Sequence, residues 1–195
     1  ATIGISMLRG FYFSKPEKFN SYLREEGYQA FEGTPSQLGI RVLGETDGLL
    51  YGMDVFNVAQ QGRASTTQSH SLNSLRIYAN VGKKFFQYKN WGIGALGGLG
   101  YGNLRYSLLQ DVKPDFPALL DNRNYDGYLR NSGIFIKPEA LLEYGLPMTK
   151  RKLFDLVFTA SAGYELAFPG FKLGGVSMHS YQSGPFMSVG VGIRP

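Results

Sequence analysis

The chain is patterned in twos. From Ser74 to Gly82, Leu75, Ile77, Ala79 and Val81 fall on one face of an extended segment, while Arg76, Tyr78 and Asn80 fall on the other. Successive side chains of a strand point to opposite faces, so this run reads as a strand and not as a helix. The rhythm returns along the chain. Leu38, Ile40 and Val42 alternate with Gly39, Arg41 and Leu43, and Tyr51, Met53 and Val55 with Gly52, Asp54 and Phe56. Trp91, Ile93, Ala95, Leu99 and Tyr101 alternate with Gly92, Gly94, Gly98 and Gly100. Ile134, Ile136, Ala140, Leu142 and Tyr144 alternate with Lys137, Glu139 and Glu143. Leu156, Phe158, Ala160, Ala162, Tyr164 and Leu166 alternate with Asp155, Thr159, Ser161 and Glu165, and Met187, Val189, Val191 and Ile193 with Ser188, Gly190 and Gly192. With a segment around Ile3 to Phe13, the pattern predicts eight strands of about ten residues, the length a tilted strand needs to cross a bilayer.

The polarity of the two faces decides what surrounds them. A soluble barrel of this size turns its apolar face inward and its charges outward; a membrane barrel reverses this. Here the polar face carries Arg41, Asp54, Arg76, Lys137, Glu139, Glu143, Asp155 and Glu165, interspersed with Gly and Ser. A narrow lumen lacks room for large side chains in every row, so glycines and paired charges fill it; a solvated surface has no reason to prefer Gly. The alternation therefore predicts an all-β, eight-stranded antiparallel up-and-down transmembrane β-barrel over residues 1–195, with a soluble ligand-binding barrel as the alternative. Arg41, Asp54, Arg76, Lys137, Glu139, Glu143 and Glu165 are expected to plug the lumen as mutually neutralising charges.

The connections alternate short and long. Glu45 to Gly48, Gly82 to Asn90 and Leu146 to Lys152 are short; Ser14 to Pro35, Ala59 to Gln68, Leu108 to Arg130 and Pro169 to Ser183 are longer. That is the order expected of periplasmic turns and extracellular loops. Asp47-Gly48 is a hairpin signal and not a metal loop. In the first long loop, Ser14-Lys15-Pro16-Glu17 reads as a capping box, Phe19, Tyr22 and Leu23 follow at helical spacing, and Gly27 stops the run. A short amphipathic helix is expected there, its apolar side covering the barrel mouth or docking on a partner. Tyr51, Trp91 and Tyr144 fall at outward positions near the periplasmic ends, and Tyr101 and Tyr164 near the extracellular ends, as two aromatic girdles. Strict alternation also turns Arg9 outward. A cation there costs about 2–4 kcal/mol near the midplane, so either a bulge shifts the register or Arg9 meets a lipid headgroup or a partner protein.

Composition agrees with strands: 26 Gly, 13 Tyr and 14 Phe among 195 residues, with 18% charged. No stretch reaches the roughly 18 apolar residues of a spanning helix. The net charge of +5 comes from dispersed residues near turns, which argues against nucleic-acid binding. Without cysteine there is no disulfide or thiolate metal site. The opening Ala1-Thr2-Ile3 fits a mature protein whose signal peptide has been removed.

The chain thus resembles the small eight-stranded outer-membrane proteins of the OmpA and OmpX type. Phe19-Asn20-Ser21-Tyr22-Leu23 leading to Gly27-Tyr28, and the glycine-rich run Gly92 to Gly102, are similar to a set of uncharacterised outer-membrane barrels of Bacteroidota-type Gram-negative bacteria. The resemblance implies the cell outer membrane, contact with its lipid and lipopolysaccharide, other outer-membrane proteins as candidate partners, and no cofactor. Such barrels usually finish on an aromatic residue, whereas this chain finishes Gly192-Ile193-Arg194-Pro195.

Candidate chemistry is sparse. Ser69-His70-Ser71 and His179 lie near expected extracellular loops, and lipid A deacylases of this barrel class use His, Ser and an acid on the outer surface. Nucleophilic catalysis needs the base within hydrogen-bond reach of the hydroxyl, which adjacency along a strand does not supply. A solvated loop histidine is the plainer expectation. Gly92-Ile93-Gly94 and Gly98-Leu99-Gly100 alternate within a strand with no following helix, which excludes a nucleotide loop. The expected function is a non-enzymatic outer-membrane barrel, plugged, acting as an accessory subunit of a larger assembly or as a surface-binding protein; a lipid-modifying enzyme is the alternative.

Overall fold

The computed structural model describes residues 2–65, 68–110, 127–148, 154–168 and 171–195. In chain order the elements are β1 (Thr2–Tyr12), α1 (Glu17–Glu25), β2 (Ser36–Thr46), β3 (Leu49–Ser65), β4 (Gln68–Tyr88), β5 (Trp91–Gln110), β6 (Gly127–Pro147), β7 (Asp155–Phe168), β8 (Lys172–Leu173), β9 (Val176–Ser177), α2 (His179–Gln182) and β10 (Gly184–Arg194). Strands β1 to β7 and β10 close into an antiparallel barrel in the order β1-β10-β7-β6-β5-β4-β3-β2; β8 and β9 form a separate hairpin over the mouth. Closure leaves no unpaired strand edge, the condition for crossing a bilayer with strands.

The wall has its apolar side outward. Ile3, Ile5, Met7, Leu38, Ile40, Met53, Leu75, Ile77, Val81, Leu99, Ile136, Met187, Val189 and Ile193 are all exposed. A contiguous belt of this kind is the surface of a membrane protein, not of a water-soluble barrel. Inside, glycines make room for the large side chains opposite. A Cβ at Gly39 would overlap the Phe56 ring, one at Gly100 the Tyr78 ring, and one at Gly133 the Phe171 ring.

Strands run further than the apolar pattern does. The expected loop from Ala59 to Gln68 is the end of a long hairpin, paired from Ala59↔Asn73 through Gln61↔Ser71 to Ser65↔Gln68. Likewise β5 persists to Gln110 and β6 begins at Gly127; the remainder of the expected loop from Leu108 to Arg130 lies outside the described residues. Above the membrane both faces become polar, so alternation fades while the ladder of backbone hydrogen bonds continues. The expected short connection from Gly82 to Asn90 is a tight turn at Lys89-Asn90, with Lys89 at φ 52° and Tyr88 paired with Trp91. A register shift between Lys84 and Phe86 had masked it: Phe85 and Phe86 both face outward, so alternation stops while pairing resumes. Asp47 and Gly48 take φ 50° and 78° in the two-residue turn between Thr46 and Leu49, as their sequence predicts. The tip of the connection from Leu146 to Lys152, and Pro169, lie outside the described residues.

Two local expectations are corrected. The capping box does not form: α1 starts at Glu17 behind Pro16 without a side-chain cap. Ser14 instead turns into the mouth, where its hydroxyl donates to the carbonyl oxygen of Tyr181 at 2.6 Å. The helix ends as expected at Gly27, whose φ of 79° suits only glycine comfortably, with the Tyr28 N–H donating to the Leu23 carbonyl at 2.7 Å. The second correction concerns β1, which contains no bulge. Its register runs unbroken from Ile5↔Ile193 to Tyr12↔Phe186 and, on its other side, from Thr2↔Glu45 to Phe11↔Ser36.

Candidate functional site

Inside the barrel the charged side chains form layers. Arg41 and Asp54 are register partners on β2 and β3. The Arg41 Nε and Nη2 each donate to an Asp54 oxygen at 2.8 Å, and Nη2 also reaches Glu139 Oε2 at 2.8 Å. Lys137 Nζ closes the group, at 2.5 Å from Asp54 Oδ2 and 2.8 Å from Glu139 Oε2. Two cations thus meet two carboxylates with no net charge, all buried. Towards the extracellular side, Arg76 pairs with Glu165, its guanidinium lying 4.6 Å from the Tyr12 ring centre and 4.8 Å from that of Phe135. Near the periplasmic end, Lys84 Nζ reaches Glu45 at 2.5 Å and Glu143 at 2.6 Å, with Arg194 at 3.5 Å from both carboxylates. Between the lowest two layers lies an apolar plate of Leu50, Leu96 and Leu141, with Leu43 against it.

The seven expected plug residues therefore all lie inside, in three separate groups. Sequence reasoning missed Glu45, Lys84 and Arg194, because Glu45 and Lys84 lay in segments read as turns and Arg194 beyond the last alternating residue. It also missed Tyr12, whose hydroxyl donates to the Gln182 carbonyl at 2.5 Å, and the hydroxyl pair Ser161–Ser188 at 2.7 Å.

Above the charges sits an apolar lid. Phe19 and Leu23 of α1 pack with Phe31, Leu72, Leu104, Tyr106, Phe171, Leu173, Met178 and Tyr181. Asn20 pins the loop by exchanging two hydrogen bonds with the Phe31 backbone, at 2.9 and 3.0 Å. Phe19 and Leu23 are turned into the mouth and offer a partner nothing; of the three expected helix contacts only Tyr22 is exposed. Burial in the lid pushes the Tyr181 hydroxyl well above the ordinary tyrosine range.

His70 is not the solvated loop residue expected. It is buried, stacked on Phe31 at 3.9 Å between ring centres and 11° between planes, and neither ring nitrogen has a hydrogen-bond partner among the described residues. His179 is exposed, its Nδ1 at 3.5 Å from the hydroxyl of Ser183, the residue that follows the short helix. Neither histidine joins a hydroxyl and an orienting carboxylate among the described residues, and no group of three metal-ligating side chains occurs among them.

On the outer wall, Tyr51, Trp91, Tyr101 and Tyr164 are exposed, and Trp91 packs on its cross-strand neighbour Tyr144 with ring centres 4.7 Å apart. Tyr88, Phe85 and Phe86 add to the periplasmic side and were not anticipated. Arg9 points outward between Val189 and Leu38. Beside it the wall is dented. Ala95, Ala140 and Ala162 are in register across β5, β6 and β7, and Ala160 lies next to Val189. The resulting groove, of about 550 Å³, is walled by Phe11, Phe13, Ile93, Leu142, Met187 and Val189, with Arg9 as its one charged side chain among the described residues.

No protein-family model and no curated protein matches the chain in sequence. In fold it is similar to Neisserial surface protein A, with 12% identity, 99% of this chain and 94% of that one covered, and a TM-score of 0.51. It is equally similar to Ail, the attachment invasion locus protein of Yersinia pestis, solved in complex with the heparin analogue sucrose octasulfate: 14% identity, 100% and 97% covered, TM-score 0.51. Together with the apolar outer belt, this fold is that of a small eight-stranded barrel of the outer membrane.

Proposed function

We propose that the protein is a non-enzymatic outer-membrane barrel that works through its outer wall, as an accessory subunit of a larger membrane assembly. The observation that carries this is Arg9 beside the alanine-floored groove. Four residues of a tilted strand separate Arg9 from Phe13 at the mouth, about 10 Å of depth, so the guanidinium starts within the apolar belt. No outward carboxylate among the described residues pairs with it. A second copy of the wall would bring apolar side chains and another Arg9. A different membrane protein presenting a carboxylate or free carbonyl oxygens beside a ridge of large apolar side chains fits both the charge and the dent. The interior supports the same reading: charges that neutralise one another and a lid of aromatic side chains suit a plug and leave no path for solute.

Purification from native membranes in mild detergent tests this. A stoichiometric partner should travel with the wild-type chain and be lost from an Arg9→Leu variant; a lone monomer in both counts against the subunit. A second reading, a surface-binding protein, is favoured by the exposed side of α1 and the residue leading into it, where Lys15, Lys18, Tyr22 and Arg24 face solvent among Glu17, Glu25 and Glu26. The sulfated sugar bound to Ail supports it by likeness of fold. Retention on heparin that falls when these four are replaced by Ser would favour it over the subunit.

A further inference from the structure

Above the apolar belt, β4, β5 and β6 continue as a polar ribbon with a site of its own. Asn73, Arg105 and Arg130 lie in one register row across the three strands, so the two arginines are directly opposite on the outer face. One step further out, Ser71, Ser107 and Tyr128 form the next row on that face; one step inward, Asn103 accepts from the Leu75 N–H at 3.3 Å. These side chains line a cleft of about 590 Å³. The next row inward is Ile77, Tyr101 and Ile134, already part of the lipid-facing belt.

Like charges directly opposite on neighbouring strands repel. Among the described residues neither arginine is paired with a carboxylate, and their neighbours in the cleft are uncharged: Leu75 at its inner end and Ser, Asn and Tyr groups that donate or accept as required. Arg105 is held, its guanidinium 4.7 Å above the Tyr128 ring centre. Two guanidiniums carried by directly opposite residues of one cleft lined with neutral donors suit a tetrahedral oxyanion, which an arginine grips with parallel hydrogen bonds. The cleft lies on the outer face, and Leu75 at its inner end belongs to the apolar belt, which sets the cleft at the level of lipid headgroups. We propose that Arg105 and Arg130 form a site for the phosphate of an outer-leaflet lipid, with Asn73, Asn103 and Ser107 completing its hydrogen bonds. The bound lipid would neutralise the pair and fix the barrel's height and rotation in the membrane. This site lies on a different part of the wall from Arg9 and stands whether or not Arg9 has a protein partner.

The test uses the full chain in nanodiscs of phosphatidylcholine carrying a small fraction of phosphorylated lipid A, with native mass spectrometry counting lipid A retained on release. The wild-type chain should keep one lipid A, and an Arg105→Gln/Arg130→Gln double variant should keep at least about tenfold less, as expected when charge-assisted hydrogen bonds are lost. Arg9→Gln should match the wild type, lipid A stripped of phosphate should be kept by neither, and millimolar inorganic phosphate should not displace the lipid. Heat-modifiable migration on gels confirms that each variant is folded. Equal retention by wild type and double variant, or equal retention of the stripped lipid, overturns the site. Displacement by inorganic phosphate or sucrose octasulfate overturns its assignment to a lipid.

Discussion

Arg41 and Asp54 stand opposite one another on β2 and β3 and join through two parallel hydrogen bonds of 2.8 Å inside the barrel. The pair is held in a square with Lys137 and Glu139, and its energetics follow from burial. Removing one member leaves a buried charge without its counterpart, at a cost of about 3–5 kcal/mol, whereas replacing the whole group by apolar side chains is often neutral. Arg41→Met should therefore destabilise the barrel by about that amount, while a quadruple replacement of Arg41, Asp54, Lys137 and Glu139 by Met or Leu should cost less than the single change. Urea unfolding in lipid vesicles measures both.

The glycines opposite the large inner side chains act by leaving space. A Cβ at Gly39 would overlap the Phe56 ring and lie 2.7 Å from the Val55 carbonyl oxygen. Gly39→Ala should cost about 1–3 kcal/mol, the usual range for overpacking. Adding Phe56→Leu should return part of that and not all, because the carbonyl contact remains. A double-mutant cycle by the same unfolding assay separates the two.

Arg9 makes a prediction of opposite sign. Without its partner, an outward arginine in the apolar belt destabilises the barrel by up to about 2–4 kcal/mol. Arg9→Leu should stabilise the purified chain in vesicles while weakening whatever assembly it joins in the cell. A loss of stability in the isolated chain would mean that Arg9 is already satisfied within the barrel.

His70 should tolerate the loss of its nitrogens. It stacks on Phe31 with both nitrogens unpaired among the described residues, and an unmet buried polar group is better replaced by an apolar one of similar shape. His70→Phe should leave stability unchanged or slightly raised and should not alter lipid A structure in cells, read by mass spectrometry of extracted lipid.

The filled interior sets the conductance. Three charged layers, an apolar plate and the lid lie in series along the axis. The chain should show no steady current in planar bilayers and no swelling of liposomes with sugars. Sustained conductance by the intact chain would show that the layers part.

How much of this was legible depends on the range of the cause. Alternation is local, so the inward set from Arg41 to Glu165 and the outward Arg9 could be read along single strands. Where a bulge intervenes, the reading stopped: Lys84 faces inward, but Phe85 and Phe86 break the rhythm beside it, and the Lys84, Glu45, Glu143 and Arg194 cluster was lost with it. The lid was out of reach for another reason. His70 is roofed by Phe31 and Tyr106, and Tyr12 and Ser14 reach the Gln182 and Tyr181 carbonyls across the mouth; such contacts join distant loops with no period to announce them. The capping box failed in the same way, since Ser14 found a better partner in Tyr181 than in its own helix. The arginines Arg105 and Arg130 were each visible as residues, but their opposition required the register of two strands whose connection had been read as loop.

The central claim, that the groove beside Arg9 holds a membrane partner, is tested most directly by photo-crosslinking in native membranes. A benzophenone side chain placed at Ala160 or Ala162, in the groove, is compared with one at Val55 or Ile77, on the far wall. A discrete adduct of one mass is expected from the groove positions alone, disappearing with Arg9→Leu. No adduct from the groove, or the same adducts from both walls, would contradict it.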